Sequence, residues 1–73
     1  MQKVTDSRME DIFEGFEINK IFSFENGQKW QQIKDKYKYV YDYRPKVTIW
    51  QEGDKFLLEV EGVGDMVEVK RIY

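Results

Sequence analysis

Cysteine, histidine and alanine are absent from this chain, and proline occurs once in 73 residues. Without cysteine there can be no disulfide, no thiolate metal site and no thiol nucleophile. Without histidine the chain loses the commonest general base, the commonest metal ligand and the one side chain that ordinarily titrates near neutral pH. No apolar run approaches the ~20 residues needed to cross a bilayer as a helix. The opening "MQKVTDSRMED" lacks the apolar stretch of a secretory signal, which leads to the expectation of a cytoplasmic location and no membrane partner. A net charge of −2 gives little general attraction to nucleic acid or to anionic lipid.

What is present suits a small folded domain. Hydrophobic residues make up 41% of the chain, charged residues 36% and aromatic residues 16%. An aromatic ring buries roughly 150–250 Å², so a few rings can fill a small core. Abundant β-branched residues and the lack of alanine favour strands. Residues 1–7 show no period and read as a frayed terminus, which leaves 8–73 as a single domain.

Along that domain the chain reads as short strands and turns. Met9, Ile12, Phe13 and Phe16 fit either a helix face or a strand over residues 8–16; Gly15 and the β-type sequence that follows favour the strand. "KIFSFENGQKWQQIK" carries Asn26-Gly27, a strong hairpin signal. A two-residue loop would place Trp30 opposite Phe22 and Phe24. A three-residue loop, Glu25-Asn26-Gly27, pairs Phe22 with Trp30 and puts all three aromatics inward, with Gly27 supplying the left-handed position. A second hairpin turns at Glu52-Gly53-Asp54. Its core face is Val47 and Ile49, then Phe56, Leu58 and Val60, while Trp50 and Leu57 are left to a rim. Val67 and Val69 are the core positions of the last strand, "MVEVKRI", whose basic end "VKRIY" reads as a solvated edge or as an edge open to a partner strand. Six or seven short strands in so few residues are too small for an immunoglobulin-type sandwich. They predict an all-β, antiparallel barrel of five or six strands.

The most unusual stretch is "KYKYVYDYRP", with Tyr37, Tyr39, Tyr41 and Tyr43 at every second position. Lys38 and Asp42 call for water, so the tyrosine side is expected to pack mostly inward, with an exposed aromatic end. Pro45 is expected to hold Arg44 extended and to stop the pairing. The competing reading is a stacking platform for single-stranded nucleic acid, with Lys34, Lys36, Lys38, Arg44 and Lys46 beside the rings and Asp35 and Asp42 diluting them. Trp50, on the polar side of its strand, is a further candidate anchor. The candidate contact residues are therefore Tyr37, Tyr39, Tyr41, Tyr43, Arg44 and Trp50. The acids Glu10, Asp11, Glu14, Glu17, Glu59, Glu61, Asp65 and Glu68 are spaced as solvated strand faces. They show neither the paired-carboxylate cleft of a glycosidase nor an EF-hand loop.

Three segments, "FENGQKWQQ", "YDYRPKVTI" and "LEVEGVGDMVEVKRI", resemble a family of small bacterial proteins. Its pattern runs from an Asn-Gly-Gln-x-Trp-x-Gln hairpin through a strand ending in Tyr-Arg-Pro to a Val-Glu-Gly turn before a basic last strand. The resemblance spans about residues 8–72 and implies a Src-homology-3-like barrel. It implies no activity and no site residues. The present chain departs from it at Glu17-Ile18-Asn19-Lys20, where relatives have a glycine-rich turn. Together these readings predict a non-enzymatic binding module without metal or cofactor, monomeric or weakly self-associating, with protein as partner. Single-stranded nucleic acid binding through the tyrosines is the alternative, and a structural self-associating unit is the third reading.

Overall fold

The computed structural model describes residues 1–73 and contains strands only: β1 (Gln2–Arg8), β2 (Ile12–Phe16), β3 (Ile21–Ser23), β4 (Lys29–Gln32), β5 (Lys38–Tyr43), β6 (Lys46–Glu52), β7 (Lys55–Val60) and β8 (Met66–Arg71). All pairings are antiparallel. One sheet has six strands in the order β1-β6-β7-β8-β4-β3, and a second pairs β2 with β5. Having no helix, the chain has none long and apolar enough to cross a membrane.

The all-β, antiparallel expectation holds, but eight strands in two sheets replace the expected closed barrel of five or six. The cause lies at a corner. Arg8 pairs with Lys46 in one sheet and Ile12 with Tyr43 in the other, so β1 and β2 on one side, and β5 and β6 on the other, are halves of one long two-stranded ribbon. The ribbon bends at Met9–Asp11 and Arg44-Pro45. Pro45 has no N–H to give a ladder. Arg44 departs from the expected extended form and takes φ of 51°, held because its N–H donates to Asp11 O at 3.2 Å and its carbonyl accepts from Arg8 Nη1 at 2.9 Å. The six-stranded sheet curls until its far end meets this corner, but the contact is the single bridge Met9–Phe24, flanked by bonds from Glu25 N to Arg8 O and Glu10 N to Ser23 O. The seam is a point, not a ladder.

Residues 2–8 are likewise not frayed. They pair with β6 from Gln2–Gln51 to Arg8–Lys46. The strand shows no hydrophobic period because it is an edge, exposed along most of its length. Side chains fasten it instead: Thr48 Oγ1 donates to Asp6 Oδ1 at 2.7 Å, and the Lys3 ammonium, 2.9 Å from Asp6, lies 5.8 Å from the Trp50 ring centre. The C-terminal strand is not an edge, since β8 lies between β7 and β4: Met66–Val69 pair with β7, and Val69, Lys70 and Arg71 pair with β4.

The hairpins form as their turn residues dictate. Phe22 pairs with Trp30, Gly27 has φ of 92°, and Asn26 Oδ1 accepts from Gln28 N at 3.0 Å. In the turn Glu17-Ile18-Asn19-Lys20, Asn19 takes the left-handed position, with φ of 68°. The core comprises Met9, Phe13, Phe16, Phe22, Phe24, Trp30, Val47, Ile49, Leu58, Val60, Val67 and Val69. Phe13, Phe16 and Phe22 meet edge-on or tilted at 5.5–6.3 Å between ring centres, and half-buried Phe56 lies 5.4 Å from Trp30. Each fully buried ring or branched side chain contributes about 1.5–3 kcal/mol through apolar surface removed from water.

Candidate functional site

The β2–β5 ribbon faces the core on one side only. Phe13 and Phe16 of β2 fill the space behind it, so β5 contributes little more than Val40. The other side of β5 is left to the tyrosines. Tyr37, Tyr39, Tyr41 and Tyr43 are 72%, 64%, 63% and 66% exposed. The expectation that this side packs inward is overturned. Lys38, which seemed to require water, is instead half-buried and carries its ammonium to Asp65 at 3.2 Å.

Three local features set this surface. Gly15 has φ of 109°, and a side-chain carbon there would come within 1.8 Å of Lys38 O, so only glycine lets the two strands approach. Between Phe13–Asp42 and Gly15–Tyr39 the register shifts, and two β5 residues, Val40 and Tyr41, stand opposite Glu14 alone. Gln32 fixes where the ladder begins. It is fully buried; its Oε1 accepts from Glu17 N at 2.9 Å, and its Nε2 donates to Lys34 O and Lys36 O, each at 2.8 Å. Gln32 was missed as a key residue in the sequence, although the alternation that turns Trp30 inward turns Gln32 inward two positions later.

Three of the five cations near the ladder are engaged, and Lys34 and Lys46 stay exposed without an ion pair. Lys36 and Lys38 converge on Asp65, at 3.8 and 3.2 Å, and Lys36 Nζ also donates to Met66 O at 3.2 Å. The hydrogen bond from Lys38, with the charge of Lys36 beside it, holds the Asp65 carboxyl below its ordinary pKa. The Arg44 guanidinium pairs with Glu25, and its Nε is buried without a partner. Asp6 is also lowered, by hydrogen bonds from Lys3 and then Thr48, but it belongs to the other sheet.

Trp50 is not brought to the ladder. It lies half-buried on the six-stranded sheet between Lys3 and Leu57, and its indole N–H donates to Glu59 Oε1 at 2.8 Å. The larger of two surface depressions, about 700 Å³, runs beside the start of β6, and half of its 12 lining residues are charged: Asp6, Arg8, Glu25, Lys46, Glu59 and Glu61. No ladder tyrosine lines it. The acids do not gather in threes as a metal-holding group would require.

The outer side of the ribbon is thus a row of phenol rings, with Ile12, itself 46% exposed, opposite Tyr43. Such a row can stack, donate hydrogen bonds and bury apolar area. Comparison with protein-family models, with curated proteins and with solved structures found no match to the chain.

Proposed function

We propose that the chain is a non-enzymatic binding module that meets a protein partner through the outer face of the β2–β5 ribbon. The observation that carries this reading is the exposure of four tyrosines, each above 60%, along one short stretch of chain. Monomeric proteins rarely expose contiguous apolar patches without use, and tyrosine supplies contact area at low entropic cost. A cytoplasmic setting and kinship with Src-homology-3-like small barrels belong to the same proposal; a six-stranded sheet curled until Met9 meets Phe24 is compatible with the latter.

The exposed rings equally invite the nucleic-acid reading, but stacking sites for single strands track the phosphates with free cations. Here Lys36, Lys38 and Arg44 already face Asp65 and Glu25. Self-association through the ribbon is the third reading, and sedimentation over a concentration series distinguishes it.

A photoreactive residue replacing Tyr41, with a control at Lys70 on the far sheet, tests the proposal in cells. Protein crosslinks from position 41 are expected, absent from position 70 and lost with Tyr39→Ser and Tyr43→Ser. Those serine variants are expected to keep the fold within about 1 kcal/mol in denaturant melts, since the rings do not fill the core. Crosslinks to RNA alone, or none beyond the control, would overturn the reading.

A further inference from the structure

The charge around the tyrosines is uneven. Between Glu10 and Glu17 the chain has four carboxylates and no lysine or arginine. Along residues 37–43 it has Asp42 and Lys38, and Lys38 is bound to Asp65. Glu10, Asp11, Glu14, Glu17 and Asp42 are all exposed, and none takes part in an ion pair. Glu14 shares the outer side of β2 with Ile12 by alternation, and it stands opposite Tyr41 at the bulge. Asp11 and Asp42 each accept a bond at Oδ1 from the next residue's N–H, at 2.8 Å, which holds the carboxylate close to the ribbon and leaves its second oxygen free.

We propose that the occupant of this face is a cationic segment of a partner protein, an arginine- or lysine-bearing stretch lying along Tyr39, Tyr41 and Tyr43. The inference rests on the reading of the ribbon as a protein-contact surface and adds the chemistry of the partner. Guanidinium and ammonium groups are attracted to the faces of phenol rings, and arginine also stacks on them. Carboxylates at the margin supply the complementary field, which steers encounter and selects sign. The spacing fits as well. Tyr39 to Tyr43 spans four residues, about 13 Å at the rise of a strand, which is the reach of a short extended segment presenting a cation at every second position. A phosphate backbone fits less well, since Lys36, Lys38 and Arg44 are already paired and leave only Lys34 and Lys46 free near the rings, whereas Glu10, Asp11, Glu14, Glu17 and Asp42 all lack a paired cation.

The probes are four: an octapeptide alternating Arg and Ser, its Gln and Glu counterparts, and a ten-nucleotide oligo-dT, each titrated into the full chain and followed by NMR. The Arg peptide is expected to shift Ile12, Tyr39, Tyr41 and Tyr43 and to weaken about tenfold or more from low to high salt. It is also expected to weaken with Glu14→Gln and Asp42→Asn, while the Glu peptide and the oligonucleotide leave those signals unmoved. Equal binding of the Gln and Arg peptides would overturn the cationic assignment and leave the contact surface standing. Shifts with oligo-dT alone would overturn both readings. Ribbon signals that move on concentrating the free protein would make a second copy the occupant and overturn the assignment. Silence toward all four probes would also overturn it.

Discussion

Gln32 shows how much one side chain can decide. Its amide joins the turn after β2 to the loop before β5 through three bonds to backbone groups. A buried amide keeps its place only when its donors and acceptors are met. Gln32→Ala leaves the Glu17 N–H and the Lys34 and Lys36 carbonyls without this partner, and a loss of about 2–3 kcal/mol is expected in denaturant melts. Faster hydrogen exchange at the Glu17 amide should accompany it, which loss of side-chain volume alone would not produce. At this scale the sequence was partly legible. The left-handed glycine at position 27 follows from pairing Phe22 with Trp30. The left-handed Arg44 did not follow from its neighbour Pro45, because the bonds that hold it come from Asp11 and Arg8, far away in the chain.

Among the elements, hairpins were read well and long-range pairings poorly. The β3–β4 and β6–β7 turns carry their instructions in glycine and asparagine, and alternation assigned the core faces of β6, β7 and β8. Alternation also put the tyrosines on one side of β5, but it could not say which side. That was decided by Phe13 and Phe16 filling the space behind the ribbon and by Asp65 receiving Lys38, and neither fact is local to the strand. The polar β1 had no periodic signal, because its stability comes from pairing with β6 and from the contacts of Asp6 and Lys3. Gly15→Ala tests the closeness of β2 to β5. The added carbon collides with a backbone oxygen in a conformation foreign to L-residues, so a loss of about 3 kcal/mol or more is expected in thermal or denaturant melts. Gly27→Ala, with open space around it, should lose only about 1 kcal/mol.

For the whole molecule, the ribbon and the six-stranded sheet are tied at the corner and, at the other end of β5, by the Lys36–Asp65–Lys38 clasp. The Asp65 carboxyl is lowered in the folded state, so its contribution is present above the unfolded value of about 3.9 and is lost as pH falls through the folded value. Stability is therefore expected to decline below about pH 4. Asp65→Asn should flatten that decline in pH-dependent melts, and in the unsubstituted protein the Asp65 carboxyl carbon should titrate below the ordinary aspartate value by NMR. Asp6, lowered by Lys3 and Thr48, should titrate low as well. The clasp is partly exposed, so added salt should weaken it.

The long two-stranded ribbon also has a history in time. β6, β7 and β8 follow one another as a meander, and β3 and β4 close over a short loop, whereas β1 must find β6 across some forty intervening residues. Closing a distant contact spends chain entropy before any ladder repays it, so local hairpins nucleate and distant strands dock afterwards. Conservative truncations at Ile49, Leu58 and Val67 are expected to slow refolding, with fractional effects on the transition state near ~0.5 or above. Thr48→Ala and Asp6→Ala, which loosen β1, should instead speed unfolding and leave refolding nearly unchanged. The N-terminal strand would then be the last part of the molecule to arrive and the first to leave.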